Sequence, residues 1–132
     1  ERIRHYLSRV QLDPGNAQLL VLLANAYYAD GQVARATDEL RKAVELQPSL
    51  AAAHCNLAVV LQAQGRLPEA RARYEQALRL DSVLVEARVG LGTLLCRMDL
   101  AGEGLVHLER ALQLATDEPT RMTIKEHLLN LL

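Results

Sequence analysis

Residues 17–50 read AQLLVLLANAYYADGQVARATDELRKAVELQPSL, and the same pattern returns 34 residues later. Apolar side chains recur in it at the i, i+3, i+4, i+7 spacing of one helical face, both before and after Asp30-Gly31. Gln47-Pro48 closes the second pattern, because proline cannot continue the helical hydrogen-bond ladder. The segment therefore predicts two amphipathic helices joined by a tight turn.

Several positions keep the 34-residue step along the chain. Gly31 and Gly65 share it, and so do Ala43, Ala77 and Ala111. A fixed period of this length indicates one supersecondary unit that is used repeatedly. Small residues at two further repeat positions predict that the two helices of each unit approach closely. These residues are Ala24, Ala58 and Gly92 at one position, and Ala36, Ala70 and Gly104 at the other.

The unit resembles the tetratricopeptide repeat. The matching residues of the first unit are Leu23-Ala24, Tyr27, Gly31, Ala36, Leu40, Ala43 and Pro48. Those of the second are Leu57-Ala58, Gly65, Ala70, Tyr74 and Ala77, and those of the third are Leu91-Gly92, Leu108 and Ala111. In the third unit Asp99 stands where the turn glycine is usual. The resemblance implies an all-α fold, a right-handed α-solenoid of stacked helix-turn-helix hairpins.

We expect a single domain over residues 1–132. Residues 1–13 align with the second helix of a preceding repeat, and the three full repeats are residues 17–50, 51–84 and 85–118. Residues 119–132 are predicted to form a capping helix that starts near Asp117-Glu118-Pro119, where acids and proline suit a first turn. Its wide apolar stripe also allows a docking or self-association helix. That stripe consists of Ile124, Leu128 and Leu131.

Composition argues against several classes of function. The net charge of −1 offers no basic surface for nucleic acid, and no apolar run approaches the ~18 residues of a membrane span. The four histidines lack a second ligand at helical spacing, and Cys55 and Cys96 lie too far apart along their helices for a disulfide. We expect no metal, no cofactor and no catalytic residue. The pairs Glu69–Arg73 and Glu75–Arg79 predict exposed i, i+4 ion pairs.

The family resemblance places a peptide-binding groove on the first helix of each repeat. The candidates carried over are Gln18, Val21, Leu22, Asn25 and Tyr28, then Cys55, Asn56, Val59 and Gln62, and finally Glu86, Val89, Thr93 and Arg97. Their apolar strip suggests an amphipathic helix or an extended apolar peptide as ligand. Asn25 and Asn56 could match both groups of a peptide bond, or they could only bond the adjacent helix. Glu86 would repel the acidic chaperone tails that one subgroup of the family binds.

The expected function is that of a non-catalytic scaffold or adaptor that binds a peptide or helix of a partner protein in the concave groove. One alternative is the substrate-selecting region of a larger enzyme, such as a protein glycosyltransferase. Another is a structural spacer in a bacterial envelope or secretion assembly. We expect a cytoplasmic location, or the bacterial periplasm if a signal sequence has been removed. Self-association through uncovered terminal helices is a further expectation.

Overall fold

The computed structural model describes residues 1–131, and it shows eight α-helices in that range. They are α1 (Arg2–Leu12), α2 (Ala17–Ala29), α3 (Val33–Leu46), α4 (Ala51–Ala63), α5 (Leu67–Leu80), α6 (Val85–Arg97), α7 (Ala101–Leu114) and α8 (Glu118–Asn130). This confirms the predicted all-α solenoid of helical hairpins. Leu132, the last residue of the predicted capping segment, lies outside the described residues.

The helices pack in the order of the chain. The pairs α2–α3, α4–α5 and α6–α7 form three hairpins, and each hairpin packs on the next through α3–α4 and α5–α6. The first helices α2, α4 and α6 also contact one another, which places them side by side along the array. No helix within residues 1–131 is long and apolar enough to cross a membrane.

The turns inside the hairpins need a left-handed residue. Gly31 and Gly65 have φ angles of +82° and +77°, a region that glycine enters without steric cost. Asp99 takes the same place in the third hairpin with φ of 61°, which aspartate tolerates better than most side chains. The three turns therefore share one backbone shape, as the 34-residue period predicted.

Small residues allow close contact inside each hairpin, as predicted. Ala24 and Ala36 are fully buried in the first hairpin. In the third hairpin a methyl group at Gly104 would lie 2.6 Å from the carbonyl oxygen of Gly92. Real Cβ atoms do not approach so closely, so α6 and α7 pack at a distance that only glycine permits at this position.

Ion pairs between second helices join successive hairpins. Glu69 accepts a hydrogen bond of 2.9 Å from Arg41 of α3, and this bond is the main reason why the pKa of Glu69 is lowered. Arg71 of α5 pairs with Glu75 at 3.3 Å and with Glu103 of α7 at 3.6 Å. The predicted partners Arg73 and Arg79 were therefore wrong for Glu69 and Glu75, because basic side chains on the neighbouring helix or on the preceding turn lie closer.

Candidate functional site

The first helices present one repeated surface, which we call the first-helix face. It consists of three repeat positions on three helices: Leu22, Asn25 and Tyr28 on α2, Asn56, Val59 and Gln62 on α4, and Gly90, Thr93 and Cys96 on α6. The three positions on each helix are three residues apart, so they lie along one side of that helix. Leu22, Tyr28 and Val59 remain 42%, 40% and 37% exposed. The face therefore offers apolar side chains to solvent.

A hydrogen bond links the two asparagines that the sequence singled out. The Nδ2 atom of Asn56 donates to Oδ1 of Asn25 at 3.1 Å, across the gap between α4 and α2. The bond brings both amides together on the first-helix face, and Asn25 is exposed while Asn56 is half-buried. It uses one proton of Asn56 and one oxygen of Asn25, so the NH2 group of Asn25 and the oxygen of Asn56 are still able to bond a ligand.

Tyr74 supports the face from below, and sequence reasoning did not assign it this role. It belongs to α5 and is 1% exposed, and its hydroxyl group donates to Oε1 of Gln62 at 3.1 Å. Its ring fills the space beside Gly90, where a methyl group would lie 2.5 Å from Cε1 and Cζ of the ring. Burial, with smaller contributions from Cys55 and Tyr28, raises the pKa of Tyr74, so it stays a neutral donor at physiological pH.

Two predicted groove residues are buried in the core and do not line the open face. Val21 and Cys55 are 8% and 4% exposed, and both belong to the main hydrophobic core. They occupy one repeat position, shared with Val89, which is half-buried and packs against the cluster around Ile124 of α8. This position lies where neighbouring helices meet. Burial, followed by the charge of Glu86, raises the pKa of the Cys55 thiol to about 12, so the thiol is protonated and unreactive at neutral pH.

The remaining predicted residues differ in their exposure. Gln18, Glu86 and Arg97 are exposed. Thr93 is half-buried, and its hydroxyl group donates to the carbonyl oxygens of its own helix, at 3.0 Å to that of Val89 and 3.1 Å to that of Gly90. The structure thus brings together Asn25, Asn56 and their neighbours, and it separates them from Val21 and Cys55.

A histidine–arginine contact joins the two helices of the second hairpin, and the same contact joins those of the third hairpin with the two residue types exchanged. His54 of α4 is buried, its Nε2 atom lies 2.8 Å from the carbonyl oxygen of Pro48, and its Nδ1 atom lies 3.4 Å from Arg73 of α5. One repeat later Arg88 of α6 lies 3.2 Å from Nδ1 of His107 in α7. Arginine can only donate, so Nδ1 is the acceptor in both contacts. The first helix carries the histidine in the second hairpin and the arginine in the third hairpin, and the second helix carries the other residue in each case.

The surroundings of His107 favour its neutral form. Burial lowers its pKa, and Arg88 and Arg71 lower it further, while Glu103 and Glu75 act in the opposite direction. The net result is a pKa below the ordinary value. The 34-residue offset between His54 and Arg88, and between Arg73 and His107, was the sequence signal that could have found this pair.

The last helix covers the third hairpin. Ile124 is fully buried against Ala111 and Ala115, so its predicted place on an open docking surface is wrong. Leu128 and Leu131 are half-buried, and both line a groove of about 570 Å³ between α7 and α8. The other lining residues are Ala101, Gly102, Leu105, Glu109, Lys125 and Leu129.

The described residues contain little that could perform chemistry. Within residues 1–131 no group of three or more His, Cys, Asp or Glu side chains could hold a metal ion. Cys55 and Cys96 are free thiols, and the sulfur of Cys96 packs over Gly104. The first-helix face presents amide and apolar groups.

Family models match the centre of the chain. One described as "TPR repeat" covers residues 24–65, and one described as "Tetratricopeptide repeat" covers residues 51–82. A search of curated proteins gave no match.

Solved structures of repeat proteins have the same fold. The thermophilic TPR protein TTC0263 of Thermus thermophilus superposes with a TM-score of 0.85 and 25% identity over 96% of this chain and 71% of its own. YrrB, described as "a TPR protein with an unusual peptide-binding site", gives 0.76 and 26% over 83% of this chain. The MamA protein gives 0.74 and 23% over 85% of this chain. The chain spans 61% of the length of the MamA structure and 56% of that of YrrB.

Proposed function

We propose that this chain, which belongs to the tetratricopeptide repeat family, is a protein-interaction module that binds a peptide segment of a partner protein on its first-helix face. The tetratricopeptide repeats themselves support the general role, since stacked repeats form extended binding surfaces. The precise surface and the form of the ligand are the proposal. YrrB, which has a peptide-binding site on the same fold, lends support by analogy.

The observation that carries the proposal is the hydrogen-bonded pair Asn25–Asn56 between exposed apolar side chains. A peptide bond carries one donor and one acceptor, and this pair keeps an NH2 group and a carbonyl oxygen for such a partner. Leu22 and Val59 provide the apolar contact that gives a peptide complex most of its free energy. The bond between the two helices also holds the amides in place before a ligand arrives, which reduces the entropy cost of binding.

A pull-down with matched variants tests the proposal. The native chain and the Asn25→Ala/Asn56→Ala variant are compared after circular dichroism has shown equal helicity. The Gln76→Ala/Gln113→Ala variant is the control, because it removes two amides from the second helices α5 and α7. We expect a partner that is captured by the native chain and the control but is lost from the asparagine variant.

Capture by all three proteins would contradict the use of this face. That result would favour binding through the terminal helices. It would also favour the alternative functions, which are a structural spacer and the substrate-selecting region of a larger enzyme. Cross-linking of the captured partner followed by mass spectrometry gives a second readout, since a ligand on the proposed face places its cross-links on α2, α4 and α6.

A further inference from the structure

The first-helix face is uncharged over its whole centre. The helices α2 and α4 contain no Asp, Glu, Lys or Arg among their residues. None of the nine positions of the face holds a charged residue, and the one histidine of α4, His54, is buried. A ligand side chain that carries a charge would meet amides, a phenol and aliphatic groups there, with no opposite charge to replace its hydration.

The charges that belong to the predicted groove stand at two edges of the face. Glu86 and Arg97, both on α6, are the exposed charged residues among the predicted groove positions. They are 11 residues apart in α6 (97 minus 86), so about 16 Å of helix separates them. Among the predicted groove residues, charge is therefore placed at the two ends of α6.

The hydrogen bonds within the face leave both donors and an acceptor free for a ligand. Asn25 and Gln62 each accept a bond through the side-chain oxygen, from Asn56 and Tyr74 respectively. Their NH2 groups stay available as donors, as does the hydroxyl of Tyr28, and the side-chain oxygen of Asn56 stays available as an acceptor. The hydroxyl hydrogen of Thr93 is already donated to its own helix.

A surface with unpaired amide groups distinguishes between ligand conformations. An α-helix uses its backbone carbonyl oxygens internally, whereas an extended chain leaves them free. The acceptors that match Asn25 and Gln62 without charge are therefore the carbonyl oxygens of an extended segment. An apolar helix would leave these amides covered and unbonded, which costs free energy for each buried group.

We infer that the first-helix face selects an extended peptide segment whose central residues are uncharged and apolar, and that it rejects acidic and basic segments and helices. The inference rests on the proposed function and specifies its ligand class. The backbone carbonyls of the segment accept from Asn25 and Gln62, while its side chains contact Leu22 and Val59. A charged residue at its centre weakens binding by at least about tenfold, because the charge loses hydration without gaining a partner.

Selection from a library of random linear peptides tests the inference on the intact chain. The enriched peptides are sequenced, and one of them is synthesised with its central residue unchanged, replaced by Glu and replaced by Lys. A version held in helical form by a side-chain staple is the fourth probe. We expect enriched sequences with uncharged apolar centres, about tenfold or greater loss of affinity for both charged probes, and loss for the stapled helix.

Two variants of the protein locate the binding surface. Val59→Arg places a cation at the centre of the face, and Val106→Arg places one at an exposed position of α7. Both positions are solvent-accessible, so both variants should fold. Val59→Arg should abolish binding of the uncharged peptide and should restore binding of the Glu-containing one, whereas Val106→Arg should leave both affinities within about twofold of the native values.

The outcomes separate the two proposals. Peptides that bind the Val59→Arg variant and the native chain equally, or the absence of any enriched peptide, would contradict the proposed function itself. Peptides that are lost from Val59→Arg but have charged centres, or that bind better as stapled helices, would leave the proposed function standing and overturn the inference.

Discussion

Replacement of Gly90 by alanine has two opposite effects on stability: it raises the helix propensity of α6, and it crowds the packing against Tyr74 beneath the first-helix face. Alanine favours a helix interior by about 1 kcal/mol over glycine. A methyl group at Gly90 would, however, lie 2.5 Å from two carbons of the Tyr74 ring, where carbon atoms need about 3.5–4.0 Å. The ring is 1% exposed, so it has no free space into which it can withdraw.

The expected result is a net loss of stability. Overpacking of a filled core costs roughly 1–3 kcal/mol. Displacement of the ring also breaks the bond from Tyr74 to Gln62, which contributes about 1 kcal/mol. Subtraction of the propensity gain leaves a decrease of roughly 1–3 kcal/mol in the free energy of unfolding for Gly90→Ala.

Urea unfolding followed by circular dichroism measures this change, with two comparisons. Gly102→Ala makes the same substitution in α7 where nothing lies within 4 Å of the added methyl group, so it should be neutral or stabilising by up to about 1 kcal/mol. Tyr74→Leu introduces the residue found one repeat earlier at Leu40. Combined with Gly90→Ala it should give a coupling energy of at least about 1 kcal/mol. A stable Gly90→Ala variant, or strict additivity in the double variant, would refute the packing argument.

Two further predictions concern the third hairpin. Amide hydrogen exchange should be faster in residues 102–109 than in residues 36–43. Residues 102–109 contain two glycines and more exposed apolar side chains, so this part of α7 should open more readily. Equal protection of the two segments would contradict this prediction. The lowered pKa of His107 means that its neutral form stabilises the fold fully above the unfolded value of about 6.5, and that this contribution is lost as the pH falls through the lower folded value. The free energy of unfolding of the His107→Gln variant should therefore decline less between pH 7.5 and pH 5.5 than that of the native chain. Urea titrations at several pH values measure this difference. Parallel plots of the unfolding free energy against pH for the two proteins would show that the contact with Arg88 has no such effect.

The sequence predicted the features that depend on one hairpin at a time. The period located the turns at Gly31, Gly65 and Asp99, and the small residues at Ala24 and Gly92 indicated where helices approach. These features follow from helical periodicity and backbone sterics, which act within a few residues of sequence. The start of α8 at Asp117 was predicted for the same reason, and its side chain accepts from the backbone of Thr120 at 2.9 Å.

The features that depend on two neighbouring hairpins could not be predicted in this way. Val21 and Cys55 were expected on an open surface, but both residues belong to the hydrophobic core. Glu69 was expected to pair within its own helix, but Arg41 on the neighbouring helix lies closer. Helical spacing fixes which side of a helix a residue occupies, and it does not fix what the adjacent unit places opposite that side.

The joint between the second and third hairpins shows why similar units carry different residues. Tyr74 and Leu40 occupy one repeat position, and Gly90 and Asn56 occupy the position that follows on the next helix. A ring that fills the space beside glycine would collide with an asparagine there, and a leucine facing glycine would leave a void. The residues at each joint therefore fit the particular pair of hairpins that meet there. Because the same ring holds the oxygen of Gln62, the joint that orders the core also turns an amide donor toward the proposed ligand.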